Sequence, residues 1–264
     1  APMETVPNAD VAPAPAGRLT GREWRTAVEL ATSALALRVV DSWPRGDEHP
    51  VMVLPGFMAG PDSTLFLRRT LRRLGYRTHD WGLGRNLGVR PGLEDAMLDK
   101  LMELYDRYGT PVSLIGWSAG GIYARELARQ APDAVRMVIT LGSPFRGHPS
   151  STRAWRFYKF MNRHDLTHQL TSPEKRAERE QPLQVPTTCI YSRKDGIVAW
   201  ECCMSLPAER TENIEVDATH LGYGHHLTTL KVIADRLATH PDEWRPYAAA
   251  PPASDGGLPH AATG

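Results

Sequence analysis

The stretch "LIGWSAGGIYARELA" (114–128) decides the reading of this chain. Apolar β-formers lead into Gly-Trp-Ser-Ala-Gly, and helix formers follow directly. Chance alone yields roughly 0.1 G-x-S-x-G matches in a chain of this composition, so the five residues carry little by themselves. Their setting carries more. "VSLI" supplies a strand, "GWSAG" a tight turn and "GIYARELA" a helix, the arrangement that lifts a serine on a strained strand-to-helix turn. Gly116 and Gly120 leave room for such a turn. Ser118 Oγ would then stand at the carboxyl end of a sheet, above helical N–H groups that favour a developing negative charge. The plain alternative is a small residue in a glycine-rich bend.

Working outward, strands and helices alternate. "VMVLPGF" (51–57), "PVSLIGW" (111–117), "VRMVITLGSP" (135–144) and "PTTCIYSRKDGIV" (186–198) contain short apolar runs, which read as buried strands. "RTHDWGL" (77–83) and "ENIEVDA" (212–218) read as two further strands. Between them lie helical patterns. "DSTLFLRRTLRRLGY" (62–76) is expected to be capped by Asp62 or Ser63 and stopped at Gly75, and "PGLEDAMLDKLMELYDRYG" (91–109) is stopped at Gly109. "HHLTTLKVIADRLATH" (225–240) is the last helix, and "GREWRTAVELATSALALRVV" (21–40) reads as a first one, ahead of the strands. Strands alternating with helices predict an α/β chain: a parallel sheet of about six strands with helices on both faces.

Composition agrees with a single domain. The chain has 264 residues, 41% hydrophobic and 23% charged, with a formal net charge of +1. That balance gives no case for a nucleic-acid partner. Cys189, Cys202 and Cys203 are too few and too oddly placed for a disulfide framework, so they read as buried thiols. No run approaches the roughly 20 apolar residues of a membrane-spanning helix. With no intact signal peptide in sight, a cytoplasmic location is favoured over a secreted one. Residues 1–17 and 248–264, rich in Pro, Ala and Gly, read as disordered, leaving 18–247 as the folded body.

A serine nucleophile needs a base, and the base needs an orienting acid. "YSRKDGIV" sets Asp195 just past an apolar strand, and "VDATHLGYGHH" sets His220 just past the next one. Asp217 is a rival acid. His225 and His226 are rival bases, although a cap-like or surface role suits them better, and the remaining histidines carry no comparable context. An oxyanion between these groups takes two backbone donors. One is the N–H of Ala119; the other comes from the loop "LPGFMAG" (54–60), where Phe57 is expected to supply it. No His/Cys/Asp spacing suggests zinc, and no cofactor is implied.

With "PGFMAG", "GWSAG" followed by "GIYAREL", "LGSPFRG", "SRKDGIV" and "THLGYGH" in place, the chain resembles the α/β-hydrolase superfamily, in its lipase/esterase-like branch, over roughly residues 51–240. The resemblance implies that fold, a Ser118–Asp195–His220 triad and a Phe57/Ala119 oxyanion hole. It also implies hydrolysis of a small-molecule carboxylic ester through a serine acyl-enzyme. Acyl transfer or thioester hydrolysis on the same triad, or a hydrolase-fold module that binds without turnover, are the alternatives. Two departures stand out. Pro55-Gly56 occupies a place where lipases often have His-Gly, and a helix precedes Val51 where the fold usually begins with an antiparallel hairpin.

Residues 145–185 break the rhythm, being far longer than the usual 2–6 residue connection. They read as a lid or a small helical subdomain inserted after a strand, on the same rim as Ser118. Within it "RAWRFYKFMNRH" (153–164) sets Trp155, Tyr158 and Phe160 among basic residues. From 145 to 164 there are five basic residues and no acidic one. Trp117, Phe145, Trp155, Tyr158 and Phe160 are the expected pocket and lid residues, roofing an apolar acyl chain; the plain alternative is a helix that buries its aromatics on the body and solvates its charges. The basic helix also suits contact with a membrane surface.

Overall fold

The structure is a computed structural model and describes residues 39–147 and 173–247. Six strands form one sheet: β1 (Pro50–Leu54), β2 (Arg77–Asp80), β3 (Val112–Trp117), β4 (Val135–Leu141), β5 (Thr187–Tyr191) and β6 (Thr211–Glu215). All neighbours pair in parallel, in the order β2-β1-β3-β4-β5-β6. Five α-helices are described: α1 (Leu65–Arg73), α2 (Leu93–Tyr108), α3 (Ala119–Gln130), α4 (Pro173–Glu180) and α5 (Leu227–Ala238).

The alternation of side chains along the central strands builds two cores. Val51 and Val53 of β1 and Ile115 of β3 point to one face, where Leu67 and Leu71 of α1 and Leu230, Ile233 and Leu237 of α5 cover them. Met52 and Leu54 of β1 and Leu114 of β3 point to the other, beneath Leu101 and Leu104 of α2 and Tyr123 and Leu127 of α3. Each such side chain, taken fully out of water, contributes about 1.5–3 kcal/mol. The central strands β1, β3 and β5 are buried throughout, as the apolar runs predict. The outer strands β2 and β6 contain half-exposed or exposed positions and polar sequences, RTHD and TENIE. An edge strand needs an apolar inner face only.

Two local expectations need correction. Asp62 and Ser63 do not cap α1. Residues Pro61–Thr64 form a 3-10 turn, α1 begins after Thr64, and no side chain caps it. Proline fixes the backbone for a first helical position, so the turn starts at Pro61; Ser63 Oγ–H instead donates to the Gly60 carbonyl at 2.7 Å. His225 is not a surface residue either. It is buried, with its ring edge-on to Phe66. Gly109 does end α2 in a left-handed conformation, its N–H bonded to the Tyr105 carbonyl at 2.8 Å. The expected first helix lies outside the described residues up to Arg38. The two expected disordered ends also lie outside them.

The order of strands sets where a site can form. From β1 the chain crosses outward to β2, then returns to the far side of β1 as β3. The loops leaving β1 and β3 therefore diverge, and the crevice between them at the carboxyl end of the sheet is where ligands bind in open α/β sheets. Residues 55–60 and Ser118 occupy that point.

Candidate active site

Ser118 is the residue between β3 and α3, with φ 54° and ψ −121°. Among the described residues only Glu48, Met58 and Ser118 are non-glycine residues with positive φ. The strain is held by packing on both sides. A methyl group on Gly116 would come within 2.3 Å of Gly121 Cα, and one on Gly120 within 2.2 Å of the Leu54 carbonyl oxygen. Only glycine lets α3 approach the strands this closely. Ser118 is the N-cap residue of α3, yet its hydroxyl makes no capping bond to the helix. The serine is partly exposed at the positive end of the helix dipole.

The loop leaving β1 lies against it. A methyl group on Gly56 would sit 3.3 Å from Ser118 Cβ and 3.9 Å from Oγ. Residues 56–59 form a turn closed by Ala59 N–H to the Gly56 carbonyl at 3.1 Å, with Met58 at φ 63°. Phe57, within this turn, is half-buried, as is Ala119 at the first position of α3.

Asp195 and His220 come together. Asp195 follows β5 and His220 follows β6, and His220 Nδ1 lies 2.6 Å from Asp195 Oδ2. Both are buried, at 3% and 4% exposure. The other carboxylate oxygen, Oδ1, accepts N–H bonds from Ile197 and Val198, each at 2.8 Å. Two backbone donors and one imidazole thus satisfy a carboxylate that water does not reach. The His220 carbonyl accepts from Trp117 Nε1–H at 3.0 Å, which ties the histidine loop to the residue preceding Ser118. The Tyr223 ring stands edge-on to the imidazole, with centroids 6.1 Å apart.

The rivals are placed elsewhere. Asp217 is exposed and paired with Lys194 at 2.5 Å. His226 is the N-cap residue of α5, its Nδ1 3.3 Å from Thr229 Oγ1. Trp117 and Phe145, expected to line the pocket, are 7% and 3% exposed. Trp117 braces His220. Phe145 lies under the Arg125 guanidinium, 3.9 Å from its ring centroid. Trp155, Tyr158 and Phe160 lie outside the described residues, as does most of the expected lid. Its far end is helical, as α4.

Sequence reasoning missed the anchoring of that insertion. Arg125 on α3 is buried, and its Nη2 donates to the Gln181 carbonyl at 2.8 Å and to the Arg179 carbonyl at 3.3 Å. Desolvation lowers its pKa to about 10. One cation on the helix that follows Ser118 therefore holds both roots of the segment, Phe145 at its start and residues 179–181 near its end.

The three cysteines are buried free thiols, and burial pushes Cys203 well above the ordinary thiol range. No group of His, Cys, Asp and Glu among the described residues could hold a metal ion. No described helix is long and apolar enough to cross a membrane.

No protein-family model matches the sequence, and no curated protein matches it. Solved structures do match its fold. Lipase B of Aspergillus fumigatus is similar with a TM-score of 0.54 and 17% identity over 78% of this chain. The chain spans 57% of that lipase's length. A monoacylglycerol lipase of Paleococcus ferrophilus is similar with a TM-score of 0.54 and 15% identity, covering 75% of this chain and 97% of its own. An alpha/beta superfamily hydrolase of Oenococcus oeni PSU-1 gives 0.51 and 16%, covering 75% and 94%. At these identities the likeness speaks for architecture. Together with the six parallel strands and their order, it shows that the chain has the α/β-hydrolase fold.

Proposed function

We propose that this protein is a serine hydrolase of carboxylic esters, with Ser118 as nucleophile, His220 as general base and Asp195 as the acid that orients it. The observation that carries the reading is the buried Asp195–His220 bond of 2.6 Å on the rim where the strained Ser118 stands. Strain at a partly exposed serine hydroxyl, unused for capping, is hard to account for as packing alone.

Asp195 accepts Nδ1–H and so fixes the imidazole with its Nε2 lone pair available. His220 takes the Ser118 proton as Oγ attacks the ester carbonyl. The carbonyl π pair moves to oxygen, where the backbone N–H groups of Phe57 and Ala119 receive the oxyanion. One such donor is worth about 3–4 kcal/mol of transition-state stabilisation. The oxyanion collapses, the C–O bond to the alcohol breaks, and His220 gives its proton to the departing alkoxide. Water then repeats the sequence on the acyl-serine, with His220 again as base, and releases the acid. The lipases among the structural neighbours support an ester with an apolar acyl chain as substrate. Leu221, 48% exposed beside His220, offers an apolar surface at the same rim.

A fluorophosphonate probe tests this directly. It should label the wild-type protein on a peptide containing Ser118 and block hydrolysis of p-nitrophenyl esters. Failure to label, or labelling at another serine, would refute the assignment. The rate profile from acetyl to palmitoyl esters then gives the acyl length.

A further inference from the structure

Residues 81–90, "WGLGRNLGVR", join β2 to α2 and have no part in the chemistry above. Asn86 in the middle of this loop is fully buried. Its hydrogen bonds converge on one place. The side-chain amide Nδ2–H donates to the Pro55 carbonyl at 2.9 Å. The backbone carbonyl accepts from Met58 N–H at 2.7 Å, and the backbone N–H donates to the Ala59 carbonyl at 2.9 Å. Three bonds thus grip residues 55, 58 and 59, on both sides of Phe57. The remaining oxygen, Oδ1, accepts from Gly88 N–H at 3.1 Å and from the hydroxyl of Tyr123 on α3 at 3.5 Å.

The Gly56–Phe57 peptide carries the second oxyanion donor of the proposed mechanism. Its plane is set by the turn that closes at Ala59. That turn puts Met58 at φ 63°, a left-handed conformation that strains a residue with a side chain. Left alone, the turn would relax. Gripped at three points by a residue that is itself tied to the nucleophile helix, it cannot rotate without leaving buried polar groups unpaired.

We propose that Asn86 is a positioning residue for the oxyanion turn: it holds the Phe57 N–H in register with Ser118 without touching substrate. The inference rests on the serine-hydrolase reading. It predicts a defect confined to the transition state. In Asn86→Ala, kcat per titrated active site should fall by about 10- to 100-fold with KM little changed, below the 10²–10³-fold cost of deleting a donor outright. Binding of an alkyl boronic acid, which forms a tetrahedral anion on the serine, should weaken by a similar factor. Asn86→Asp, which keeps Oδ1 but lacks the donor to Pro55, should behave alike. Tyr123→Phe, which removes the hydroxyl that donates to Oδ1 at 3.5 Å, should cost about 2- to 5-fold in kcat and still fold; it carries the test if both Asn86 variants unfold. Leu87→Ala, next in the chain and 45% exposed, should leave the rate unchanged.

A purely structural residue would lower the melting temperature and the titratable fraction, leaving kcat per site and boronate affinity intact. That result in the Asn86 variants, or an unaltered kcat in Tyr123→Phe when those do not fold, overturns the proposal. Wild-type protein that neither hydrolyses esters nor binds the boronic acid would sink the serine-hydrolase reading and the inference with it. Active wild type with unaffected variants sinks the inference alone.

Discussion

The sheet carries a buried histidine bonded to an aspartate at each of its two ends, with a serine at the same end. At the carboxyl end these are His220, Asp195 and Ser118. At the amino end, His49 Nδ1 bonds Asp47, and Ser113 Oγ lies 2.8 Å from His49 Nε2. By residue type the two are the same, and in the second the serine is bonded to the histidine. Their surroundings differ in every respect that matters to chemistry. Ser113 is the second residue of β3, without the positive φ of Ser118 and fully buried, so no substrate can reach it. Its acid is the wrong way round too: the Asp47 side chain is 53% exposed and shared with Arg136, where that of Asp195 is 1% exposed and fixed by two backbone donors. At the carboxyl end the start of α3 and residues 55–59 lie against Ser118. A Ser–His–Asp set is thus a staple or a candidate catalyst according to access, strain and the donors around it.

The strongest way to break this contrast is to remove each hydroxyl. Ser118→Ala should fold normally and lose at least about 10³-fold in kcat/KM for p-nitrophenyl esters. Ser113→Ala should keep wild-type turnover per folded molecule. It should lose about 1–3 kcal/mol of stability in urea unfolding, because His49 Nε2 is left buried without its donor. If Ser118→Ala retained a tenth of the activity, or Ser113→Ala abolished it without unfolding, the roles assigned to the two ends would have to be exchanged.

The acids come next. Asp195→Asn should cost about 10³–10⁴-fold in kcat, since the amide no longer selects the tautomer with Nε2 as acceptor. The rise of kcat/KM with pH, due to loss of a proton from the base, should persist in His225→Ala and in His49→Gln and vanish in His220→Ala. Persistence of the limb in His220→Ala would move the base elsewhere.

How far the sequence announces these features depends on their range. The central strands are plain because burial on both faces demands unbroken apolar runs, and Ser118 is plain because strand, turn and helix are contiguous. Asp195 and His220 are visible as the residues just beyond successive strands. Long-range polar partners leave no such trace. His49 meets Ser113 across 64 positions, Asn86 meets Pro55 across 31, and Arg125 meets Gln181 across 56. Nothing local marks them: Asn86 lies in a glycine-rich loop whose composition predicts only a turn, and His49 carries no context until β1 and β3 pair. The mistaken cap on α1 has a similar cause, since Pro61 outweighs the capping tendency of Asp62 and Ser63.

His49 gives a smaller, pH-dependent signature. Burial lowers its pKa below the ordinary histidine value, outweighing the bond to Asp47, with the charge of Arg136 adding to the effect. The groups around it are Asp47, Arg136, Ser113 and the edge-on ring of Tyr76 at 5.0 Å. A histidine held neutral in the fold but free to protonate when unfolded contributes stability above the unfolded pKa of about 6.5. That contribution is lost as pH falls from there through the folded pKa, with a slope of at most about 1.4 kcal/mol per pH unit for one proton. His49→Gln should flatten the stability profile below about pH 6.5. An unchanged profile would mean that His49 protonates equally in both states.

The least effect is expected from Asp47→Asn, and it is the sharpest test of the comparison. Asp47 accepts from His49 Nδ1, from the His49 backbone N–H at 3.3 Å and from Arg136 Nη2 at 3.0 Å. An asparagine Oδ1 can still accept the Nδ1–H, so the tautomer that lets His49 take the Ser113 proton bond survives. What is lost is the charge of a half-exposed carboxylate, which solvent screens from its more buried partners, about 0–1 kcal/mol and weakened further by salt. Asp47→Asn should therefore change stability by less than about 1 kcal/mol at low salt, less still at 0.5 M NaCl, and leave kcat untouched. The same one-atom exchange at Asp195 is expected to cost orders of magnitude, because there the carboxylate is dry and in the proposed mechanism the imidazole becomes charged beside it. A large loss of activity in Asp47→Asn, with the fold intact, would show that the two ends of the sheet are coupled and that the amino-terminal staple bears on the chemistry.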